Sequence, residues 1–221
     1  EALLANLKDK VYLEELDLRW ERERGNNEGG IRSSDSQVLE GLCPPPNLKE
    51  LTITRNLGDQ PPTWMKDQHQ LSYVRLDGCS YWKCLPPLGH LPLLKRLDLS
   101  GAKAVKKVGP EFFCVSEHSS RRSEDAFPHL NYLSISNMDQ WEGWDYRPVG
   151  RVFPSLQVLY LDDCRKLTSL SPMLRHVTTL TELNILRCAQ LASLEEDDGE
   201  WMFASLRRLK IQWCPKLTSL S

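Results

Sequence analysis

Apolar residues in this chain recur at a fixed offset: a leucine, an aliphatic residue three positions later, and another two beyond that. The pattern opens eight times, at Leu13, Leu48, Leu71, Leu94, Leu130, Leu156, Leu180 and Leu206. The intervals between openings are 35, 23, 23, 36, 26, 24 and 26 residues. Counting the opening leucine as position one, positions three to seven predict a short strand. Alternation turns the fourth and sixth residues into the core and leaves the third, fifth and seventh outside. One such unit cannot bury its apolar edge alone, so neighbours must stack on a shared elongated core. Each unit returns to the same starting edge, so the strands must run parallel.

A period in the mid-twenties with this spacing is the leucine-rich-repeat signature. The predicted fold is an α/β solenoid: a right-handed leucine-rich-repeat horseshoe with a parallel concave sheet of about eight strands and mostly irregular convex returns. At ~4.8 Å per strand step the sheet spans roughly 34 Å. Residues 1–221 are read as a single domain. Proline breaks several returns, as in Leu85-Pro-Pro-Leu-Gly-His-Leu91. One return is expected to be helical, opened by a capping box at Ser34-Asp-Ser-Gln37. The two long intervals hold polar insertions, near 22–33 and 115–125, expected to be mobile and to be nicked first at Arg22 or Arg24 and at Arg121 or Arg122. Ser123, after two arginines, has the look of a kinase site, against which stands a plain solvated loop. The repeat pattern runs to both ends with no polar capping unit, so the chain is expected to be a fragment with more protein on both sides.

Composition narrows the function. A formal net charge of −2 supplies no basic field for nucleic acid or an anionic membrane. No apolar run approaches the ~18 residues a membrane span needs. Of seven cysteines, Cys79, Cys164, Cys188 and Cys214 stand at position nine of their repeats, where Asn56 stands in the second. No C-x-x-C pair exists, so these thiols are expected to be reduced packing groups, which suits a cytoplasmic location. Nucleotide-binding loops, zinc-protease and hydrolase motifs are all missing. The five histidines are scattered, and Cys114 and His118 share a mobile insertion without a rigid base. Glu195-Glu-Asp-Asp198 lacks the ordered ligand spacing of a calcium loop and reads as a solvated turn. Neither catalysis nor a metal site is therefore expected.

What remains is the outward row. We expect a partner-binding concave face built from Glu15, Asp17, Arg19, Thr52, Thr54, Tyr73, Arg75, Asp77, Arg96, Asp98, Tyr132, Ser134, Tyr160, Asp162, Asn184, Arg208 and Lys210, with Trp20 and Trp213 at position eight on its rim. Nothing in the repeat demands these identities. Tyrosine and arginine, prominent among them, dominate many protein interfaces. Trp141, Trp144 and Tyr146 offer an aromatic cluster that either binds a ligand or plugs the convex layer, and packing is the expected outcome.

Some segments go beyond the generic repeat. The run Pro86-Pro-Leu-Gly-His-Leu-Pro-Leu-Leu-Lys-Arg-Leu97 with Val105, Val108-Gly109 and Glu111-Phe112 resembles the repeat domain of plant coiled-coil, nucleotide-binding, leucine-rich-repeat immune receptors. So do Lys10–Trp20, Asn47–Ile53 with Pro61–Met65, and Phe153–Leu159 with Cys164. The resemblance implies a non-catalytic, autoinhibitory sensor that meets a pathogen effector or host protein and contacts the receptor's own nucleotide-binding domain. It also implies that no cofactor is held here, ADP or ATP belonging to that absent domain. The competing reading is the substrate-recruiting repeat domain of an F-box ubiquitin ligase.

Overall fold

The computed structural model describes residues 6–21, 28–113, 125–145, 150–170, 174, 177–194 and 204–218. Each of the eight repeat openings leads into a five-residue strand at positions three to seven. In chain order these are β1 (Glu15–Arg19), β2 (Glu50–Thr54), β3 (Tyr73–Asp77), β4 (Arg96–Ser100), β6 (Tyr132–Ser136), β8 (Val158–Asp162), β9 (Glu182–Leu186) and β10 (Arg208–Gln212). All are parallel and paired in sequence order, with position three facing position three across every step. The intervening β5 (Lys107–Val108) and β7 (Gly143–Trp144) form a second, two-stranded parallel sheet on the return side. The returns are thus tied by backbone hydrogen bonds as well as by packing.

The core follows from the leucine spacing. Positions one, four and six are buried from β2 to β9, and burial of each leucine contributes ~1.5–3 kcal/mol relative to exposure. At the sheet's edges the same positions are less covered: Leu16 and Leu18 on β1 are half-buried, and Leu209 on β10 is 37% exposed. Asn56, fully buried at position nine, accepts hydrogen bonds from the Gly58 amide and from Trp82 Nε1, at 3.1 and 3.2 Å. The thiols of Cys164, Cys188 and Cys214 at this position donate to strand carbonyls instead, as Cys188 Sγ does to Leu186 O at 3.4 Å. The described cysteines are all free thiols. Burial pushes the Cys79 thiol up to about 12.

The helical return departs from expectation. Helix α1 spans Glu28–Gly41, so Ser34 lies inside it rather than capping it. The capping-box spacing is a short local signature that also occurs within helices. Here Ser36 finds its partner in the next repeat, its Oγ accepting from the Asp59 amide at 3.0 Å. The part of the first insertion from residue 28 onward is therefore helix rather than loop. Arg22, Arg24, Arg121, Arg122, Ser123, Cys114, His118, Tyr146 and Glu195–Asp198 lie outside the described residues.

Trp141 and Trp144 settle as convex packing. Trp141 is fully buried, with its Nε1 donating to Gly143 O at 2.8 Å, and stacks edge-on to Trp144 at 5.1 Å. Phe113, Phe127 and Phe153 extend the same aromatic layer.

Position eight shows a device that no residue preference announces. Arg55, Gly78, Gly101, Asn137, Asp163, Arg187 and Trp213 all have φ between 51° and 71°, in the left-handed region. Their amides first extend the ladder: Arg55 N donates to Asp77 O, Gly78 N to Ser100 O, Gly101 N to Ser136 O, and so along the sheet to Arg187 N and Gln212 O. The chain then turns sharply out of the sheet. Only glycine adopts this conformation without cost, so the five side chains larger than a hydrogen atom hold it against ~1 kcal/mol each.

Candidate functional site: the concave face

Strand alternation delivers three rows of side chains to the concave side, one strand step apart. Position three carries Glu15, Glu50, Tyr73, Arg96, Tyr132, Val158, Glu182 and Arg208. At its centre the Arg96 guanidinium lies 4.2 Å from the Tyr132 ring centroid and 5.6 Å from that of Tyr73. Asp98 holds the same guanidinium at 2.9 Å. Burial, then the neighbouring Asp98 carboxylate, raises the Tyr73 phenol above its ordinary value. Arg75 pairs with Asp77 at 3.3 Å. Tyr73, Arg96, Asp98 and Tyr132, four side chains expected to bind a partner, therefore form one linked, conformationally restrained group, which loses little rotamer freedom on contact.

Further along the sheet, the Tyr160 hydroxyl approaches Asp162 Oδ2 at 3.4 Å, and burial raises its phenol above the ordinary value. Arg187, which the sequence did not mark as concave, reaches back from position eight to Asp162. Its left-handed backbone aims it over the sheet, and an Asp one repeat earlier was the only available signal. Arg208 pairs with Glu182, whose carboxyl is held below its ordinary value by Asn184 and then by Arg208. Asn184 is only 8% exposed and donates to Glu182 Oε1 at 3.0 Å, so the structure places it beneath the surface rather than on it. Ser134 is half-buried between Asp98 and Tyr160 in the position-five row.

The two ends differ in charge. From β3 to β10 the face is largely self-neutralised by the arginine–carboxylate pairs, leaving Lys210 without a counter-ion among the described residues. On β1 and β2, Asp17 is clipped by Arg19 at 2.6 Å and held below its ordinary value by that hydrogen bond. Glu15 and Glu50, exposed and facing each other in register, have no hydrogen-bond or ion-pair partner for their carboxylates among the described residues. Between these strands and β3 lies a depression of about 340 Å³ lined by Asp17, Arg19, Thr52, Thr54, Tyr73, Arg75 and Asp77. At the rim, Trp213 is 67% exposed, whereas Trp20 is half-buried. Among the described residues no three metal-ligating side chains converge, and no helix is long and apolar enough to cross a membrane.

Eight parallel strands closing a leucine core, with a polar face kept clear on one side, define a leucine-rich-repeat protein. A family model described as R13L1/DRL21 LRRs matches residues 1–102. Over 96% of its length the chain is 30% identical to the disease-resistance RPP13-like protein 1 of Arabidopsis thaliana. It is also 32% identical, over 98% of its length, to the disease resistance protein RGA2 of Solanum bulbocastanum, and 32% identical over 93% to RGA4 of the same species. The chain belongs to the leucine-rich repeats of plant disease-resistance proteins. It spans about a fifth of these relatives, 21% of the first and 22% of the other two.

Proposed function

We propose that this solenoid is the non-catalytic recognition and autoinhibitory sensor of a cytoplasmic plant immune receptor, binding a pathogen effector or a host protein on its concave face. The observation that carries the reading is the linked Tyr73–Arg96–Tyr132 group: outward-facing, half-exposed at its two rings and unneeded for the core, it has the composition of an interface centre. The named relatives support the setting. ADP or ATP is assigned to a separate nucleotide-binding domain of the whole receptor, and no residue here takes part in holding it.

Two surfaces divide the work in this reading. Glu15, Asp17 and Arg19 on β1 contact the nucleotide-binding switch. Tyr132, Tyr160, Arg208, Lys210 and Trp213, toward the other end, meet the ligand. Reversing Glu15 and Asp17 to lysine in the whole receptor should give cell death without ligand, because a charge-matched contact becomes repulsive. Alanine at Tyr160 and Trp213 should leave the resting receptor silent and abolish the response, since interface anchors of this kind contribute about 2 kcal/mol or more each. The assay is cell death in leaves, with receptor abundance checked by immunoblot. If both sets of substitutions give one phenotype at normal abundance, the two-surface reading is wrong.

A further inference from the structure

Along position three, aromatic and cationic groups alternate: Tyr73 on β3, Arg96 on β4, Tyr132 on β6, each in register with the next. Arg96 supplies the cation for both rings. The alternation stops at Tyr73, whose other register neighbour is not a cation but Glu50, followed by Glu15. Like charges opposite one another in a sheet repel, and this pair has no compensating partner among the described residues. Directly beside it lies the depression floored by Thr52 and Thr54, with Tyr73 as one wall and Asp17 and Asp77 at its margins. Among the described residues the cations lining it, Arg19 and Arg75, are already committed to those two aspartates.

We infer that this depression is a subsite for one guanidinium, an arginine side chain of the nucleotide-binding switch proposed above to meet β1. The inference rests on reading the concave face as a protein-recognition surface and names the chemistry it selects there. A cation laid on the Tyr73 ring at the mouth of the depression adds a second ring–cation contact on the side where Glu50 follows in register, and offsets the Glu15–Glu50 repulsion there. Arginine fits better than lysine: its planar group stacks on the Tyr73 ring while its edge N–H groups meet carboxylate and threonine oxygens. An acidic side chain meets like charge here, and an apolar one leaves the carboxylates uncompensated.

The test is a titration of the isotopically labelled protein, followed by amide chemical shifts, with an N-acetylated, C-amidated Gly-Arg-Gly tripeptide. Tripeptides with lysine or the uncharged isostere citrulline in the centre serve as comparisons. Saturable shifts centred on Thr52, Thr54 and Tyr73 are expected with arginine, smaller ones with lysine and none with citrulline. The double substitution Glu15→Gln, Glu50→Gln should weaken binding about fivefold or more, and raised salt should do the same to the unsubstituted protein. Tyr73→Phe should retain binding and Tyr73→Leu should lower it, because the ring face and not the hydroxyl makes the contact. Equal shifts from citrulline, shifts confined to other parts of the molecule, or unchanged affinity in the Gln/Gln protein overturn the subsite. None of these outcomes bears on the cell-death assay with Tyr160 and Trp213, so the subsite and the wider recognition reading fail separately.

Discussion

Gly101→Ala should destabilise the solenoid markedly more than Gly78→Ala, although both glycines occupy position eight of adjacent repeats with φ near 70°. The shared part of the cost is conformational: an alanine held in the left-handed region loses ~1 kcal/mol relative to glycine. The difference is steric. A Cβ on Gly101 stands 3.0 Å from Gly78 Cα and 3.1 Å from its nitrogen, both main-chain atoms pinned by the ladder. On Gly78 the nearest atom is Arg55 Cγ at 3.3 Å, on a side chain able to swing aside, and the main chain is no closer than 3.6 Å. Crowding against backbone adds roughly 1–2 kcal/mol. Gly101→Ala is therefore expected to cost about 2–3 kcal/mol and Gly78→Ala about 1 kcal/mol. Arg55→Gly serves as the converse: release from the left-handed cost and the added freedom of the unfolded chain nearly cancel, leaving stability almost unchanged. Urea unfolding followed by circular dichroism and tryptophan fluorescence gives the three midpoints. If Gly101→Ala unfolds at the same denaturant concentration as Gly78→Ala, or a higher one, the packing argument fails.

Trp141→Phe should cost about 1–3 kcal/mol more than Trp144→Phe in the same urea series, since it abandons the 2.8 Å bond to Gly143, whereas Trp144 Nε1 is buried without a partner among the described residues. Equal effects would show that ring volume alone matters there. The Cys79 thiol, ordinarily near 9.0, is pushed up to about 12 in the folded chain. Between those pH values the unfolded chain releases a proton that the native chain keeps, so stability falls as pH rises, by at most ~1.4 kcal/mol per pH unit. Cys79→Ala should flatten that slope, and identical slopes with and without the thiol would refute the assignment. Leu159→Ala opens a cavity under the concave face and should cost roughly 2–5 kcal/mol, lowering abundance of the whole receptor where Tyr160→Ala does not. A normal blot for Leu159→Ala would count against a shared core.

The strands were legible to the residue, because the repeat's leucines must all reach one core and strand alternation leaves no other phase for them. Tyr73, Arg96 and Tyr132 were readable as outward residues for the same reason, but their stacking depends on side-chain reach across register partners, which no linear pattern carries. Arg187 was missed because its role depends on a left-handed backbone at position eight. Gly78, Gly101 and Asn137 are permissive there, but Arg55 and Trp213 argue against it. Asn184 was legible as outward-facing, yet Glu182 and its neighbours bury it. The start of α1 escaped because Glu28 to Ser33 holds no apolar period and a glycine pair normally signals a break.

The hydrogen bond from each position-eight amide to the carbonyl of the following repeat has a direction in time as well as in space. A ribosome delivers this chain from its amino-terminal end, so when β2 has emerged its exit turn at Arg55 still lacks its acceptor, Asp77 O, which arrives 22 residues later. The entry of each repeat is held by its predecessor, as where Ser72 N donates to Lys49 O, but its exit turn is locked only by its successor. Assembly should proceed with one unfinished turn trailing at the growing edge, and loss of a later strand should loosen the repeat before it first.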